Sequence, residues 1–248
     1  MILIGDIGNT DTKICLVNSN YKIIKKIIFR SKNLSKSILT IKIKEFLKNI
    51  SITKSLFCSV VPKQYLLIKS LLYKNFKIKV FELKDIDIDS MIKIQVNKKQ
   101  IGSDRLANAI SVMSQNNNFI IIDFGTATTF DVVVNNKYRG GVIAPGVDLS
   151  LNTLTKRASL IPTIDLKKTK KVVGKDTISA VRAGFFWGYA GLIDNIVELI
   201  KKEENKKFKI IITGGLSNLF KKSLKSKIIQ KKDITINGLI RATKYLKF

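Results

Sequence analysis

The chain has 248 residues, 45% of them apolar, and these values predict one or two globular domains with a substantial buried core. No run of about eighteen uncharged apolar residues occurs, and the first residues lack a basic segment and a small-residue cleavage site, so we expect neither a membrane span nor a signal peptide. Two isolated cysteines, Cys15 and Cys58, and the lack of histidine argue against a disulfide framework or a zinc site and favour a reducing cytoplasm.

A formal net charge of +27 makes nucleic acid a partner to consider, because positive charge attracts polyanions. The lysines, however, are spread through nearly every segment beside abundant Ile and Asn, and these three amino acids all have AT-rich codons. Compositional bias of an AT-rich genome explains that pattern without a basic binding face. We therefore expect weak, non-specific binding at low salt and no specific nucleic-acid partner.

The first part of the chain alternates predicted strands and helices. Residues 1–5 are apolar and residues 12–17 are rich in β-branched and apolar side chains, with a polar segment, Asp6–Asp11, between them. This arrangement predicts a β-hairpin whose turn presents backbone N–H groups. Apolar spacing then predicts further strands at 21–29, 55–61 and 78–82, a helix at 35–50 with Ser35 as its cap, and a helix at 64–74.

The pattern restarts in the second part of the chain. An apolar run at 119–122, a Gly/Thr turn at 123–129 and a β-branched strand at 130–134 repeat the order of strand, Asp-x-Gly turn and strand. We interpret this as an internal duplication, with halves at residues 1–110 and 111–248, because two such turns can grip one phosphate chain from both sides. The later elements are predicted as a strand at 138–143, helices at 148–157 and 177–202, and a strand at 209–212.

The first turn has the chemistry of a phosphate-binding loop. Its glycine lets a ligand approach the backbone closely, its Asn and Thr side chains form hydrogen bonds, and Lys13 adds positive charge. Asp6, at the end of the strand, is a candidate ligand for Mg²⁺, directly or through water. The alternative interpretation of this segment is an ordinary Asn/Gly hairpin turn. The candidate phosphate ligands are Asp6, Ile7, Gly8, Asn9, Thr10, Asp11, Thr12 and Lys13.

Two loops of the second half offer similar chemistry. The segment Asp123–Thr129 adds several hydroxyl groups to its Asp-x-Gly turn, and its alternative interpretation is the start of a Thr-rich strand. Two such turns, one opening each half, favour phosphate binding over that alternative. The loop Thr213–Gly215 follows an apolar strand and allows a close approach that suits the adenosine side of a nucleotide, although Gly-Gly after a strand is also common in plain turns.

An acid near the start of a predicted helix is the candidate general base. A Gly-Ser pair precedes the apolar-periodic residues 106–112 and places Asp104 in the first helical turn, where it could also be a simple helix cap. Because the chain has no histidine, a proton acceptor must come from another residue type, which favours this carboxylate. The planar guanidinium of Arg105 matches an anionic acceptor substrate.

Together, these motifs resemble the type III pantothenate kinases, which belong to the acetate kinase, sugar kinase, Hsp70 and actin superfamily. The most specific parts of the resemblance are the Gly-x-Asp-Arg and Asp-Phe-Gly-Thr-Ala-Thr-Thr segments. The resemblance implies an α/β structure with a duplicated actin-like (ribonuclease H-like) fold, in which two mixed β-sheets are flanked by helices and have a cleft between them. The matching segments follow the expected order: Asp6–Lys13, Gly102–Arg105, Asp123–Asp131, Gly140–Gly146, Gly184–Asp194 and Thr213–Gly215.

The resemblance also implies an activity and a set of roles. Members of the family phosphorylate the primary hydroxyl of pantothenate with ATP, which is the first step of coenzyme A biosynthesis, and they are homodimers. By this resemblance Asp6 places Mg²⁺, Asp104 is the general base, and Asp123 binds a monovalent cation, K⁺ or NH₄⁺. The residues expected to bind ATP are 6–13, Thr126, Gly214 and Gly215. The residues expected to contact pantothenate are Gly102, Ser103, Asp104, Arg105 and Thr177.

The chain departs from the family pattern on the pantothenate side. Ser103 stands where the family usually has Ala, and a Pro that is usually present is missing from residues 97–100. Gln95 occupies the position at which a substrate-binding Tyr is often found, so we include it among the candidate pantothenate ligands.

Three alternatives remain open from the sequence. A regulatory relative would bind nucleotide without turnover, but the presence of Asp6, Asp104 and Asp123 favours catalysis. Another small-molecule kinase of the superfamily, such as a sugar kinase, usually has larger domains and a different acid on the sugar side. A nucleic-acid-binding protein should have a clustered basic face with interleaved aromatic side chains, which the diffuse lysines of this chain do not predict.

Overall fold

The computed structural model describes residues 1–31 and 36–245, and these form two compact units. The first unit comprises Met1–Met113 together with the C-terminal segment that begins at Asp233, and the second comprises Ser114–Lys232. Each unit contains its own mixed β-sheet and its own buried apolar core.

Strands and helices alternate through the first unit. Up to residue 113 its elements are, in chain order, β1 (Ile2–Ile7), β2 (Asp11–Val17), β3 (Ile23–Arg30), α1 (Lys36–Phe46), β4 (Lys54–Ser59), α2 (Pro62–Phe76), β5 (Phe81–Glu82), a 3₁₀ turn (Leu83–Asp85), β6 (Lys93–Ile94) and α3 (Ser103–Val112). The strand order is β3-β2-β1-β4-β5, with antiparallel pairs on the β2 side of β1 and parallel pairs on the β4 side.

The core of the first unit lies between its sheet and the helices α1 and α2, which contribute Leu39, Ile43 and Leu72 to one buried cluster. The sheet face is closely fitted, because a Cβ added at Gly5 would lie 2.1 Å from the ring of Phe57. The predicted helix at 35–50 is present as α1, although it ends at Phe46, and its predicted cap Ser35 lies outside the described residues.

The second unit repeats this arrangement. Its elements are β7 (Phe119–Phe124), β8 (Ala127–Val134), β9 (Lys137–Pro145), α4 (Val147–Arg157), α5 (Thr177–Glu204), β10 (Lys209–Gly214), α6 (Ser217–Phe220) and β11 (Ile228–Gln230). Its strands follow the order β11-β10-β7-β8-β9, with β7 antiparallel to β8 and parallel to β10. Each unit therefore has a central strand that pairs with an antiparallel strand on one side and a parallel strand on the other, as the interpretation of an internal duplication requires. The α/β class with two mixed sheets flanked by helices is confirmed.

The predicted bounds of helix α5 agree closely with the structure, because the residues at both of its ends favour a helix boundary. It begins after a capping box, in which the Asp176 carboxylate accepts from the backbone N–H of Ser179 at 2.8 Å and the Ser179 hydroxyl oxygen accepts from the backbone N–H of Asp176 at 3.2 Å. It ends at Glu204, and the next residue, Asn205, adopts a left-handed conformation with φ of 48°. Even this helix lacks the apolar length to cross a bilayer, and so does every other helix in the described ranges.

The last helix, α7 (Ile234–Tyr245), packs against α3 in the first unit. A Cβ added at Gly238 would lie 1.8 Å from the carbonyl oxygen of Ala107, and the Thr235 hydroxyl donates to the Asn108 side-chain oxygen at 2.8 Å. The unit boundaries thus differ from the predicted halves 1–110 and 111–248. The apolar pattern of a helix shows which face is buried but does not identify its partner, here more than a hundred residues away.

Candidate functional site

The hairpin turn of the first unit lies between β1 and β2. The backbone N–H of Gly8 donates to the carbonyl oxygen of Asp11 at 3.0 Å, and Asn9 and Thr10 at the tip are exposed. Ser31 supports the turn, because its backbone N–H donates to the Thr10 carbonyl at 2.8 Å and its hydroxyl donates to the Gly8 carbonyl at 2.6 Å. The turn is therefore fixed by its neighbours while its tip stays open to solvent.

Two of the predicted phosphate ligands have buried side chains. Ile7 belongs to the apolar core, and the Thr12 hydroxyl shares a hydrogen bond of 2.9 Å with the hydroxyl of Ser31. Neither side chain can reach a ligand at the tip, so only their backbone groups could do so. Asp11 is partly exposed, and one of its carboxylate oxygens lies 3.7 Å from Nε of the exposed Arg30.

Asp6 lies on β1, between polar residues of the two neighbouring strands, β2 and β4. On one side it pairs in register with Lys13 of β2, whose Nζ lies 3.9 Å from Oδ2 of Asp6. On the other side it pairs with Cys58 of β4, whose thiol donates to Oδ1 at 3.6 Å. The sheet therefore places a fixed cation and a weak hydrogen-bond donor on opposite sides of one carboxylate.

Burial dominates the electrostatics of this carboxylate. Desolvation raises the pKa of Asp6 from 3.8 to about 6, and the nearby charge of Lys13 opposes that rise. The negative charges of Asp104 and Asp233 raise the pKa of Asp6 further, although by less than desolvation does. The fold therefore brings Asp6 and Asp104, two residues singled out from the sequence, close enough to interact.

Asp104 lies in the first turn of α3. Its Oδ1 accepts a hydrogen bond of 2.7 Å from the backbone N–H of Arg105, the next residue, whereas Gly102 occupies the N-cap position. Desolvation raises the pKa of the Asp104 carboxyl, while the hydrogen bond from the Arg105 backbone and the charge of Arg105 lower it. A carboxylate with a raised pKa in a partly buried position is better suited to accept a proton than an ordinary surface aspartate.

Glu82 is a buried acid that the sequence analysis missed. Its Oε1 accepts from the hydroxyl of Ser103 at 2.5 Å and from the backbone N–H of Ser59 at 3.4 Å, and its Oε2 accepts from the backbone N–H of Lys84 at 2.6 Å. Burial raises its pKa, and these hydrogen bonds oppose the rise. The only signal in the sequence is an acid at the end of the predicted strand 78–82, and nothing local indicates its partner Ser103.

In the second unit, Asp123 stands at the end of β7 and is partly exposed. Strand β10 runs beside it and brings Gly214 so close that a Cβ there would lie 2.6 Å from Oδ1 of Asp123 and 2.5 Å from the carbonyl oxygen of Phe124. Gly214 also has φ of 88°, a conformation that other residues rarely adopt. Two of the predicted ligands are thus adjacent, and glycine is required where they meet.

The remaining predicted nucleotide ligands of this unit lie on exposed loops. Thr126 is exposed at the β7–β8 turn, where the turn closes by a hydrogen bond of 3.1 Å from the backbone N–H of Gly125 to the carbonyl oxygen of Ala127. Gly146 packs behind the turn, since a Cβ there would lie 2.2 Å from the carbonyl oxygen of Thr126. Gly215 is exposed and has open space around its Cβ position.

Gln95 and Thr177, two of the predicted pantothenate ligands, are exposed. Gln95 follows β6 in the first unit, and Thr177 is the first residue of α5 in the second unit. Both side chains are therefore accessible to solvent.

No cluster of three or more His, Cys, Asp or Glu side chains that could hold a metal ion occurs among residues 1–31 and 36–245. Mg²⁺ is commonly held by one or two carboxylates together with substrate phosphates, so a complete protein cage is not needed. Asp6 fits that requirement as a single carboxylate beside an open turn.

Comparison with known sequences identifies relatives of this chain. Residues 2–199 match the family model described as type III pantothenate kinase. The type III pantothenate kinase of Pelagibacter ubique (strain HTCC1062) is 63% identical over 252 aligned positions, which cover 100% of both chains.

Comparison with solved structures identifies the fold. A protein from Campylobacter jejuni described as a Baf-family transcriptional activator superposes with a TM-score of 0.63 at 20% identity, over 98% of this chain and 100% of that one. An inorganic polyphosphate/ATP-glucomannokinase from Arthrobacter sp. strain KM superposes with a TM-score of 0.52 at 13% identity, over 98% of this chain and 99% of that one. At these identities the likeness establishes the fold alone, and it agrees with the kinase-like α/β fold expected from the motifs.

Proposed function

This chain belongs to the type III pantothenate kinase family, and we propose on that premise that it transfers the γ-phosphoryl group of ATP to the primary hydroxyl of pantothenate, with Asp104 as the general base. The observation that carries the catalytic part is the presence of two largely buried acids, Asp6 and Asp104, in the first unit, each with a pKa raised by burial. Asp6 beside Lys13 has the chemistry of a phosphate site, and Asp104 lies near enough for its charge to raise the pKa of Asp6.

The phosphate side of the proposed site is the turn between β1 and β2. The exposed tip with Asn9 and Thr10 offers hydrogen-bond donors, and Lys13 supplies a positive charge that offsets the charge of the phosphates. Asp6 would hold Mg²⁺, which would supply positive charge that offsets the charge of the phosphates.

The chemical step needs a proton acceptor beside the attacking alcohol. The hydroxyl oxygen of pantothenate forms a bond to the γ-phosphorus, the bond from that phosphorus to the β–γ bridging oxygen breaks, and ADP leaves with the electron pair. The proton of the hydroxyl passes to a carboxylate oxygen of Asp104. Burial favours this transfer, because it raises the pKa of the Asp104 carboxyl and therefore the affinity of the carboxylate for a proton.

The second unit carries further candidate ligands for the nucleotide. We assign Thr126, Gly214 and Gly215 to ATP, because Thr126 and Gly215 are exposed in loops and Gly214, at the end of β10, is a glycine that permits a close approach. Asp123 would bind K⁺ or NH₄⁺ through its partly exposed carboxylate.

The acceptor side is proposed to involve Gly102, Arg105, Gln95 and Thr177, with Arg105 pairing with the carboxylate of pantothenate. Ser103 is also among the proposed pantothenate contacts. Its hydroxyl hydrogen is donated to Glu82, so other atoms of Ser103 would make this contact.

We also propose that the enzyme is a cytoplasmic homodimer. The exposed face of α5 that carries Gly184, Gly188 and Gly191 supports this, because a Cβ at any of these positions would meet nothing within 4 Å and a second copy could approach closely.

The decisive experiment measures ADP release with ATP and pantothenate, with and without K⁺, for the wild type, Asp104→Asn and a charge-matched control, Glu45→Gln, on the exposed surface of α1. We expect K⁺-dependent turnover that requires pantothenate, a fall in kcat of about a thousand-fold in Asp104→Asn, and no change in the control. Full activity of Asp104→Asn would remove this residue from the base role. Tight ATP binding without any pantothenate-dependent turnover would favour a regulatory protein instead.

A further inference from the structure

The turn between β1 and β2 is held by a residue that lies outside its sequence motif. Ser31 directly follows β3, is 4% exposed, and stands 23 residues after Gly8. Its backbone N–H donates to the carbonyl oxygen of Thr10 at 2.8 Å, and its hydroxyl donates to the carbonyl oxygen of Gly8 at 2.6 Å. One buried serine therefore fixes the backbone on both sides of the exposed residue Asn9.

Ser31 is itself held from two other elements of the first unit. Because its single hydroxyl hydrogen goes to Gly8, the hydrogen bond of 2.9 Å between the hydroxyls of Ser31 and Thr12 must be donated by Thr12, on β2. The backbone carbonyl of Ser31 accepts from Nε2 of Gln64, in the first turn of α2. Every polar group of Ser31 is therefore engaged, and the turn is connected through it to both β2 and α2.

The hydrogen bond to Gly8 determines the direction in which the turn presents a donor. A trans peptide unit is planar, so its N–H points away from its C=O. The carbonyl of Gly8 and the N–H of Asn9 belong to one peptide unit, and that carbonyl is held toward Ser31. The N–H of Asn9 therefore points away from Ser31. Backbone N–H groups with a fixed direction attract phosphate oxygens, whereas a carbonyl oxygen that faces a phosphate repels it.

We propose that Ser31 is a positioning residue for the phosphates of ATP: its hydroxyl keeps the carbonyl of Gly8 turned away from the nucleotide and so directs the N–H of Asn9 toward a phosphate oxygen. This inference rests on the proposed function, in which the turn binds the phosphates, and adds to it a buried residue that acts through the turn. Glycine has no Cβ that restricts its backbone, so without the hydroxyl the peptide unit between Gly8 and Asn9 is free to rotate.

A positioning role makes a prediction that a purely structural role does not make. The turn would contact the phosphates and not the adenosine, so loss of the Ser31 hydroxyl should weaken the binding of ATP and ADP but leave the binding of adenosine unchanged. A loss of packing alone would change the binding of all three ligands or of none. The phosphate-dependent part of the affinity therefore separates the two roles.

The test compares Ser31→Ala with a matched control, Ser55→Ala. Ser55 belongs to the same unit, is 1% exposed, and donates its hydroxyl to the backbone carbonyl of Lys79 at 2.7 Å, away from the turn. Both substitutions remove one buried serine hydroxyl, so they should lower thermal stability by similar amounts. Calorimetric titration of the full chain should show dissociation constants for ATP and ADP about five-fold higher in Ser31→Ala only, with that for adenosine unchanged.

Steady-state kinetics gives a second readout of the same variants. The turn would bind the phosphates in the ground state and in the transition state alike, so KM for ATP should rise about five-fold in Ser31→Ala while kcat and KM for pantothenate change less. Ser31→Thr keeps the hydroxyl and should restore the affinity for ATP. Thr12→Val removes only the hydrogen bond that orients this hydroxyl, so it should raise the dissociation constant for ATP by a smaller factor, about three-fold.

Several results would overturn the inference: equal dissociation constants for ATP in Ser31→Ala and Ser55→Ala, an equal loss of affinity for adenosine, or weak ATP binding that Ser31→Thr does not restore. If Ser31→Ala does not fold, unchanged ATP binding by Thr12→Val overturns it instead. The binding measurements do not need turnover. A wild type that binds ATP without pantothenate-dependent turnover would therefore overturn the proposed kinase activity alone, whereas a wild type that does not bind ATP would overturn both.

Discussion

The two hairpin turns of this molecule present an aspartate at the same place in the strand arrangement, but the residues around each aspartate differ. In the first unit, Asp6 is flanked by Lys13 on the antiparallel strand and by Cys58 on the parallel strand. The lysine supplies a permanent positive charge within 3.9 Å, and the thiol is buried.

In the second unit, the equivalent neighbours of Asp123 are Thr129 on the antiparallel strand and Thr213 on the parallel strand. Neither of these carries a charge, and a glycine with positive φ, Gly214, lies against the carboxylate. The two units thus share the position of the carboxylate, while the residues in register with it on the flanking strands differ. The proposed function assigns K⁺ to Asp123 and the phosphates to the turn with Lys13, so the two turns can be tested separately.

Among the tests of this comparison, the largest effect is expected when Asp6 is replaced by Asn. Asp6→Asn should lower kcat by about a hundred-fold or more, because a carboxylate that holds Mg²⁺ beside the phosphates is replaced by a neutral amide. Steady-state kinetics across a Mg²⁺ titration measures this, and the variant should need more Mg²⁺ for half-maximal rate. Equal losses for Asp6→Asn and Asp123→Asn, with the same response to Mg²⁺, would contradict the distinction between the two turns.

A smaller effect is expected for Asp123→Asn. The wild-type rate should rise when K⁺ replaces a large organic cation at constant ionic strength, and the variant should lose this response together with about ten-fold of its rate, which is about 1.4 kcal/mol. Comparing K⁺, NH₄⁺ and the organic cation at matched ionic strength separates binding at one site from general screening. A variant that keeps the full response to K⁺ would move the cation site elsewhere.

Replacement of Lys13 tests whether the positive charge beside the turn of the first unit contributes to ATP binding. Lys13→Met keeps an unbranched side chain and removes the charge, so KM for ATP should rise about five-fold, or about 1 kcal/mol, with a smaller change in kcat. The control is Lys44→Met on the exposed face of α1, which removes the same charge from the same unit and should leave KM unchanged. Equal effects of both substitutions would show that overall charge, and not the position of Lys13, sets the affinity for ATP.

The sequence allowed the two turns and Asp104 to be predicted because each signal is local. An apolar strand, an Asp-x-Gly turn and a second strand lie within a dozen or so residues, and their pairing follows from the hairpin. The hydrogen-bond partner of Ser103 and the place of α7 could not be predicted in the same way. Ser103 bonds to an acid 21 residues away, and Thr235 of α7 bonds to Asn108 at a separation of 127 residues. Such contacts depend on how the elements pack, which neither spacing nor composition records.

The smallest expected effect is on stability, and it has the opposite sign to the effect on activity. The pKa of Asp6 is raised from 3.8 to about 6 by burial, so the folded state binds this proton more tightly than the unfolded chain does. Folding stability from this group is therefore lost as the pH rises from about 4 to about 6, and the loss is complete above pH 6. The full shift corresponds to about 3 kcal/mol, and we expect about 1 kcal/mol because the side chain is 14% exposed and the unit can relax.

Asp6→Asn should consequently be about 1 kcal/mol more stable than the wild type at pH 7.5 and nearly equal to it at pH 4, as measured by urea unfolding without Mg²⁺ or nucleotide. If the stability difference between the two proteins is the same at both pH values, burial does not destabilise the charged carboxylate of Asp6, and this prediction is wrong.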